Sequence, residues 1–513
     1  MTDPTSASSN KDVNDPAMHR EHKLARVFSS SMIWSTANNL ATNVVTMFVF
    51  IFLTYQLEPA VFGIFALGVI IVDYFNFQAR TACYDACVQR RYYSPLEMDS
   101  AFWGMMAVTI VVIVICGFAG LWLAQANNLP SLAIVMPVLA LTLLPVPLQV
   151  IPAAIMARDY DFKGSSIRAI LGVGAGGIAA IVTVFMGAAE WALVAQRGVQ
   201  VLATSLFSVI RVRWWPGLSF SLPLAAGFLK DAGRIFAAQA IASSQMRILD
   251  LVVAFGFGPA AVGLMRIASR FVEILQGTFI APISSLWVLL LSETQQDRID
   301  RDLIYRRLSQ MSAIVSLPMF AGLALSSEQV VAVTLAPDYA PAASLLVVFC
   351  LAGLFAPLTY FRNAAMIAVK RLNLLITYSV LDVVVVVAAA LLLMSYSVEA
   401  VIASLLIMEL MRVVLTVPVL LKEMQTKASA LLLSVLPAYT ATAVMAAAVF
   451  VVDVQAASLG PWIQLLLKVG IGASTYTGYL LIFHRNWSIT ALNMFRPQAR
   501  ETALATAPAG AAG

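Results

Sequence analysis

The sequence predicts an all-α integral membrane protein with about 14 transmembrane helices. Apolar stretches long enough to cross a bilayer recur along almost all of its 513 residues. Hydrophobic residues make up 60% of the chain and charged residues only 12%, whereas soluble domains carry about 25% charged residues. Basic residues recur between the apolar stretches. These three observations favour one membrane-embedded body over a series of soluble domains.

The predicted spans follow from length, because a helix needs about 20 mostly apolar residues to cross the hydrocarbon core. The polar segment before the first span lacks the apolar core of a secretory signal peptide, so that span is expected to stay in the mature protein. The segments that qualify are 30–56, 60–83, 101–124, 130–156, 167–187, 190–210, 232–257, 260–290, 308–327, 341–367, 373–394, 398–421, 431–453 and 461–483.

The distribution of Lys and Arg predicts the topology, because these residues accumulate in cytoplasmic loops. With a cytoplasmic N-terminus, the connections after even-numbered spans and the two termini hold all but five of the 32 Lys and Arg residues. The exceptions are Arg197, Arg247, Arg266, Arg270 and Lys468. Arg362 and Arg412 are counted with the cytoplasmic connections. The opposite connections carry acidic residues and no basic ones, so both termini are expected in the cytoplasm.

An internal repeat is indicated by two similar turns at an offset of 200 residues. Leu57-Glu58-Pro59-Ala60-Val61-Phe62-Gly63 follows the first span, and Phe257-Gly258-Pro259-Ala260-Ala261-Val262-Gly263 follows the seventh. The same register pairs Asn39 with Gln239 and Asp73 with Glu273. Six spans separate the two copies, so both enter the membrane in the same direction, as in transporters built from parallel repeats.

The repeat divides the chain into two six-helix lobes that are expected to enclose a cavity, with two further helices at the C-terminal end. The predicted organisation is a polar segment 1–29, an N-lobe 30–212, a C-lobe 213–421, spans thirteen and fourteen within 422–484, and an Ala-rich tail 485–513.

Several short motifs in order resemble one family. They are the Pro-x-x-x-Gly turn after the first span, Ala101-Phe102-Trp103, Arg158 through Phe162-Lys163, Trp191-Ala192-Leu193-Val194, and Asp250 through Gly258-Pro259 to Gly263. In this order they resemble the Wzx-type polysaccharide and O-antigen flippases, which are part of the multidrug/oligosaccharidyl-lipid/polysaccharide exporter superfamily.

The resemblance implies a bacterial inner-membrane protein that works by alternating access. Its cargo would be an undecaprenyl-diphosphate-linked oligosaccharide, moved from the cytoplasmic to the periplasmic leaflet with H⁺ or Na⁺ as coupling ion. A polysaccharide polymerase or chain-length regulator is the expected protein partner.

Charged residues inside spans are costly and mark candidate sites. Arg266 and Arg270 lie four residues apart on one helical face, where like charges repel and a bound diphosphate would relieve the repulsion. Alternatively, Glu273 pairs with Arg270, and Arg266 extends to the membrane interface. Arg247 either contacts the diphosphate, with Asp250 orienting it, or is simply neutralised by Asp250.

The remaining candidate residues have weaker support. Asp73, Glu273 and Asp250 are candidates for carboxylates that couple transport to an ion. Asn39 and Gln239 are candidates for binding sugar hydroxyls, although hydrogen bonding between helices explains such residues equally well.

Two other functions remain open at this stage. A cation-coupled multidrug exporter would have the same architecture, but arginines within the spans disfavour a cationic cargo. A polysaccharide polymerase or glycosyltransferase would need a large catalytic loop, and the predicted periplasmic connections are short. We therefore expect a transporter and not an enzyme, with no cofactor, no metal site and no nucleic-acid partner.

Overall fold

The computed structural model describes residues 38–89, 94–126, 130–159, 161–280, 298–368, 371–456, 458–485 and 487. Over these residues the secondary structure is helical, and no strand is assigned. The helices are α1 Asn38–Thr54, α2 Pro59–Gln89, α3 Pro95–Ala126, α4 Leu132–Leu141, α5 Val146–Arg158, α6 Phe162–Phe185, α7 Ala192–Val212, α8 Leu222–Phe257, α9 Pro259–Leu275, α10 Arg298–Leu325, α11 Ser327–Thr334, α12 Ala342–Gly353, α13 Ala356–Thr359, α14 Arg362–Ala368, α15 Leu372–Leu393, α16 Val398–Ile402, α17 Ser404–Met411, α18 Val417–Met424, α19 Ala428–Gln455 and α20 Pro461–Phe483.

The predicted fold class is confirmed. Within the described ranges, eight helices are long and apolar enough to cross a membrane, and a ninth span results if α4 and α5 are counted together. The figure of 14 spans remains a prediction. The four cysteines, Cys83, Cys87, Cys116 and Cys350, are buried and form no disulfide.

Two predicted spans are interrupted where prolines remove backbone donors. The predicted span 130–156 is two helices, α4 and α5, which meet at an angle of 40° with Pro145 before the first residue of α5. The predicted span 341–367 is divided among α12, α13 and α14, and Pro357 lies in the first turn of α13. Each of these two segments therefore consists of more than one helix.

The chain forms two compact units, one containing Met1–Val49 with Phe75–Phe236 and the other Phe50–Tyr74 with Ala237–Gly513. In unit 1, α6 packs along α7, α3 along α4, and α5 along α7. The helices α6 and α7 approach closely at Gly172 and Gly176, where a Cβ would lie 2.3 Å from the Thr204 side chain and 2.6 Å from the Gln196 carbonyl oxygen. Gly172 and Gly176 therefore allow the close packing of α6 on α7.

Asp161 joins the start of α6 to the last turn of α7, just outside the membrane-spanning segments. Its carboxylate accepts a hydrogen bond from the Gly164 backbone N–H at 2.9 Å and another from Arg211 Nε at 2.9 Å. Burial alone would raise the pKa of Asp161, but the hydrogen bonds from Arg211 and Gly164 lower it below its usual value. A loop of residues 213–221, called the α7–α8 loop below, follows this point.

In unit 2, α10 is the central helix, packed against α19, α12 and α13. The last helix is held by its buried Lys468, whose Nζ donates to the Leu325 carbonyl at 2.9 Å and to Gln329 Oε1 at 2.8 Å. Lys468 also pairs with Asp453 at 2.5 Å. Because these partners belong to α10, α11 and α19, α19 and α20 are fixed parts of unit 2.

The two turns of the predicted repeat pack on each other inside unit 2, a contact we call the glycine clasp. Pro59 and Pro259 are the first residues of α2 and α9, and Gly63 and Gly263 follow one turn later. A Cβ on Gly63 would lie 1.7 Å from the Pro259 carbonyl oxygen, and a Cβ on Gly263 would lie 2.4 Å from that of Pro59. The contact is reciprocal, because each glycine lies against the carbonyl of the other turn's proline.

A tyrosine braces the clasp. The Tyr339 hydroxyl donates to the Leu57 carbonyl at 2.5 Å, and its ring meets that of Phe62 edge-on at 5.9 Å between centroids. Tyr339 is fully buried, although it lies in the short connection between α11 and α12. The α1–α2 turn is therefore held from two sides.

We predict that Gly63→Ala lowers the thermal unfolding midpoint of the purified protein, because the added methyl group must displace backbone and not a movable side chain. Overpacking of this kind costs about 1–3 kcal/mol. Gly322→Ala on α10 is the matched control, since a Cβ there meets nothing within 4 Å. Equal midpoints for the two variants would contradict the clasp.

Candidate functional site

The hairpin of α8 and α9 brings together the charged residues predicted within spans seven and eight. Gly258 ends α8 with a φ of +84°, a conformation that favours glycine, and Pro259 begins α9. Asp250 and Arg266 are equally distant from Gly258 along the chain, so the sharp turn places them side by side.

Asp250 is the centre of the site. Its side chain is fully buried, and Oδ2 accepts a short hydrogen bond from Arg266 Nη2. Arg247 Nη1 lies 3.8 Å from the same oxygen. Among the described residues, no hydrogen bond reaches Asp250 Oδ1. Arg266 is therefore held by an ion pair with Asp250, and its extension to the membrane interface stays a prediction.

The second ion pair of the hairpin is more open. Arg270 Nη1 donates to Glu273 Oε2 at 3.0 Å, and the side chains are 34% and 47% exposed. Such an exposed pair contributes about 0–1 kcal/mol, so a stronger ligand can replace Glu273 at little cost. The predicted alternative of an Arg270–Glu273 pair is thus found, and it leaves the Arg270 guanidinium accessible.

The charges of the hairpin do not cancel. Three guanidinium groups, from Arg247, Arg266 and Arg270, stand against the two carboxylates of Asp250 and Glu273. Among the ion pairs described for the hairpin, guanidinium groups outnumber carboxylates by one, and all three arginines are part-exposed. The hairpin therefore attracts an anion, and a planar guanidinium is suited to hold a phosphate with two parallel hydrogen bonds.

The other predicted site residues are not joined to this cluster by any described contact. Asn39 lies half-buried at the start of α1, in unit 1, and its backbone carbonyl accepts a hydrogen bond from Thr42 Oγ1 at 3.3 Å. The side chains of Gln239 and Asp73 lie outside the described residues. Their roles remain predictions.

A second buried charge cluster surrounds Asp382 on α15. Arg362 Nη2 lies 2.6 Å from Asp382 Oδ2, and Arg412 Nη2 lies 2.9 Å from the same oxygen. Arg412 also pairs closely with Glu409 and reaches Gln245 Oε1 of α8 at 3.4 Å. This cluster is neutral, with two arginines and two carboxylates, and joins α8, α14, α15 and α17 within unit 2.

The sequence analysis missed this cluster because it assigned Arg362 and Arg412 to cytoplasmic connections. Arg362 is 5% exposed, and Arg412 lies inside the apolar segment Val398–Met424, at the start of a π-helical turn Arg412–Thr416. Arg412 therefore lies within a membrane-capable segment and not in a connection, whereas Arg362 is buried in unit 2. The available signal was the pair Asp382 and Glu409, two acids inside spans that require buried cationic partners.

Comparison with known proteins identifies the family. The model of a family described as polysaccharide biosynthesis proteins matches residues 52–344, more than half of the chain. The chain belongs to the polysaccharide biosynthesis protein family. The family resemblance read from the sequence motifs is thereby confirmed.

One curated relative and two solved structures are similar to this chain. The succinoglycan biosynthesis transport protein ExoT of Rhizobium meliloti is 20% identical over 66% of this chain and 68% of its own length. The lipid II flippase MurJ, in an inward closed conformation, superimposes with a TM-score of 0.70 at 15% identity over 90% of this chain and 99% of its own.

An inward-facing multidrug resistance MATE family transporter of the MOP superfamily has a TM-score of 0.61 at 14% identity, over 77% of this chain and 95% of its own. The chain is therefore a multi-pass membrane protein with the MOP-superfamily transporter fold. These relatives are transporters and flippases, which confirms the expectation of a transporter and not an enzyme.

We predict that Asp250→Asn lowers the thermal unfolding midpoint far more than Glu273→Gln does. Removing the buried carboxylate leaves Arg266 and Arg247 uncompensated, at a cost of about 3–5 kcal/mol. Removing the exposed one costs about 0–1 kcal/mol. Unfolding of both purified variants in the same detergent measures the difference, and shifts of equal size would argue against a structural role for the Asp250 ion pairs.

Proposed function

We propose that the protein is a flippase for lipid-linked oligosaccharides. It moves undecaprenyl-diphosphate-linked repeat units from the cytoplasmic to the periplasmic leaflet of the bacterial inner membrane, for the export of a polysaccharide. Both termini lie in the cytoplasm, and a polysaccharide polymerase or chain-length regulator receives the product.

The excess positive charge on the α8–α9 hairpin is the observation that carries this proposal. A diphosphate-linked lipid presents an anionic headgroup, whereas the cargo of a cationic-drug exporter would be repelled. Arg270 is the arginine best placed to bind it, since its partner Glu273 is weakly held and 47% exposed. Arg266 stays fixed by Asp250 and contributes charge at a defined position.

Two relatives support the same class of cargo. The name of one links it to succinoglycan biosynthesis and transport, and that of the other to the flipping of lipid II. The family to which the chain belongs is described as polysaccharide biosynthesis proteins. In this proposal the diphosphate binds Arg270, Arg266 and Arg247, while Asn39 and Gln239 contact sugar hydroxyls.

Alternating access requires two states with different contacts. The glycine clasp closes the α1–α2 turn on the α8–α9 turn, and in this proposal these turns face the periplasm, as the charge pattern predicts. The clasp opens when cargo is released to that side. An ion gradient of H⁺ or Na⁺ drives the cycle, with Asp250, Glu273 and Asp73 as the carboxylates that respond to the ion.

We predict that Arg270→Ala and Arg270→Lys both abolish polysaccharide export at normal protein levels, because neither side chain can hold a phosphate bidentately. Lipid-linked repeat units should then accumulate in the cytoplasmic leaflet. Arg371→Ala is the matched control, since Arg371 forms a comparable pair with Glu423 at 3.1 Å outside the hairpin. Export that survives in Arg270→Ala would refute the binding role.

We also predict that neutralising the coupling carboxylate removes the dependence of transport on the ion gradient. Asp250→Asn, Glu273→Gln and Asp73→Asn are each assayed in proteoliposomes with and without imposed H⁺ and Na⁺ gradients. At least one should transport at a rate that no longer responds to the gradient. A normal response in all three would exclude these residues as the coupling groups.

A further inference from the structure

The α7–α8 loop has no helical structure of its own and is fastened to the start of α3 in unit 1. Trp103 Nε1 donates to the Gly217 carbonyl at 2.9 Å, and the Gly217 N–H donates to Asp99 Oδ1 at 2.9 Å. The Ser221 N–H donates to Ser100 Oγ at 2.9 Å. Three hydrogen bonds to one helix end fix the path of the loop.

This fixed loop presents large apolar side chains outward. Leu218 is 90% exposed, and Leu222, the first residue of α8, is 70% exposed. Trp215 and Phe220 are 64% and 52% exposed. Leaving one such side chain in water instead of burying it costs about 1.5–3 kcal/mol. The loop is fastened to α3, and the part of the chain that the structure describes does not cover these side chains, so they are available to an apolar phase beyond those residues.

The geometry of α7 indicates that this phase is the membrane surface. Leu202, Leu206 and Ile210 form one exposed apolar face of α7 that leads directly into the loop. The membrane-spanning segment Ala189–Val212 has 24 residues and a length of about 36 Å, more than the ~30 Å hydrocarbon core. The loop therefore begins where the lipid headgroups lie, and its apolar side chains continue the lipid-facing surface.

Basic residues precede and follow the apolar ones along the chain. Arg213 and Lys230 are exposed, and Arg234 is 71% exposed with only a 3.9 Å contact to Asp231. Lys230 and Arg234 lie one turn apart on α8 and share a face. Tryptophan, phenylalanine and leucine next to exposed Lys and Arg are the composition of segments that lie in a membrane interface and attract anionic lipid.

We propose that the α7–α8 loop and the first turns of α8 together form a membrane-surface anchor that binds anionic phospholipid. Trp215, Leu218, Phe220 and Leu222 enter the boundary between headgroups and acyl chains. Arg213, Lys230 and Arg234 contact phosphate groups above them. The anchor is independent of the transported cargo and holds against the membrane a loop whose path the hydrogen bonds to α3 already fix.

Spin labelling tests the anchor directly. The four buried cysteines are replaced by alanine, and Leu218→Cys carries a nitroxide label in nanodiscs that each hold one protein. Collision rates with oxygen, which partitions into lipid, and with a water-soluble nickel complex give the depth. Gln425→Cys is the matched control, an exposed residue of another connection whose neighbours Met424 and Thr426 are buried.

The label at position 218 is expected about 5–10 Å inside the interface, with oxygen collisions dominant, whereas the label at 425 meets the nickel complex. Raising phosphatidylglycerol in a phosphatidylcholine nanodisc should deepen the label at 218. The triple change Arg213→Gln, Lys230→Gln and Arg234→Gln should remove that lipid dependence and leave the depth in phosphatidylcholine unchanged.

Two results would overturn the proposal. If the nickel complex reaches position 218 as readily as position 425 in both lipid mixtures, the apolar side chains are not in the membrane. If the depth does not respond to phosphatidylglycerol while all three basic residues are present, the loop does not bind anionic lipid.

Discussion

The buried carboxylate of Asp250 is the constraint on which the candidate site depends. Taking an ion out of water costs several kcal/mol, and the protein meets that cost with two arginines, Arg266 across the hairpin and Arg247 one turn earlier on α8. These ion pairs fix the rotation of α8 relative to α9. They also determine that Arg270, one turn beyond Arg266, stays on the more exposed part of the helix with a weakly held partner.

The clasp and the hairpin share the same short turn. Gly258 and Pro259 set the geometry that pairs Asp250 with Arg266, and the Pro259 carbonyl receives Gly63 from the α1–α2 turn. A change in the clasp therefore acts on the turn that positions the ion pair. In the proposed transport cycle, this shared turn connects the opening of the clasp with the position of the charged residues.

Much of this could be predicted from the sequence where the signal is local. Length and apolar composition predict membrane helices, and the repeated Pro-x-x-x-Gly turn predicts two equivalent corners. Contacts across a hairpin are harder to predict from the sequence. Local spacing suggests Arg247 as the partner of Asp250, whereas the closer partner is Arg266, sixteen residues away. Proline breaks such as the one at Pro145 also depend on how neighbouring helices accommodate a bend.

The Asp382 cluster shows why the charge rule for topology has limits. The rule treats each Arg as a solvated charge near a loop, but Arg362 and Arg412 each hold the same buried carboxylate at 2.6–2.9 Å. Paired in this way, they behave as a neutral polar group that joins helices. Only the three-dimensional arrangement separates such arginines from those that mark a cytoplasmic connection.

The central claim is that the α8–α9 hairpin binds an anionic lipid headgroup, and a binding measurement with matched lipids tests it most directly. Affinities of the purified protein in nanodiscs are compared for undecaprenyl diphosphate and uncharged undecaprenol, at low and high salt. Charge-assisted hydrogen bonds contribute about 1.5–3 kcal/mol each, so the diphosphate should bind at least about tenfold more tightly, with the difference reduced by Arg270→Ala. Equal affinities for the two lipids would contradict the account.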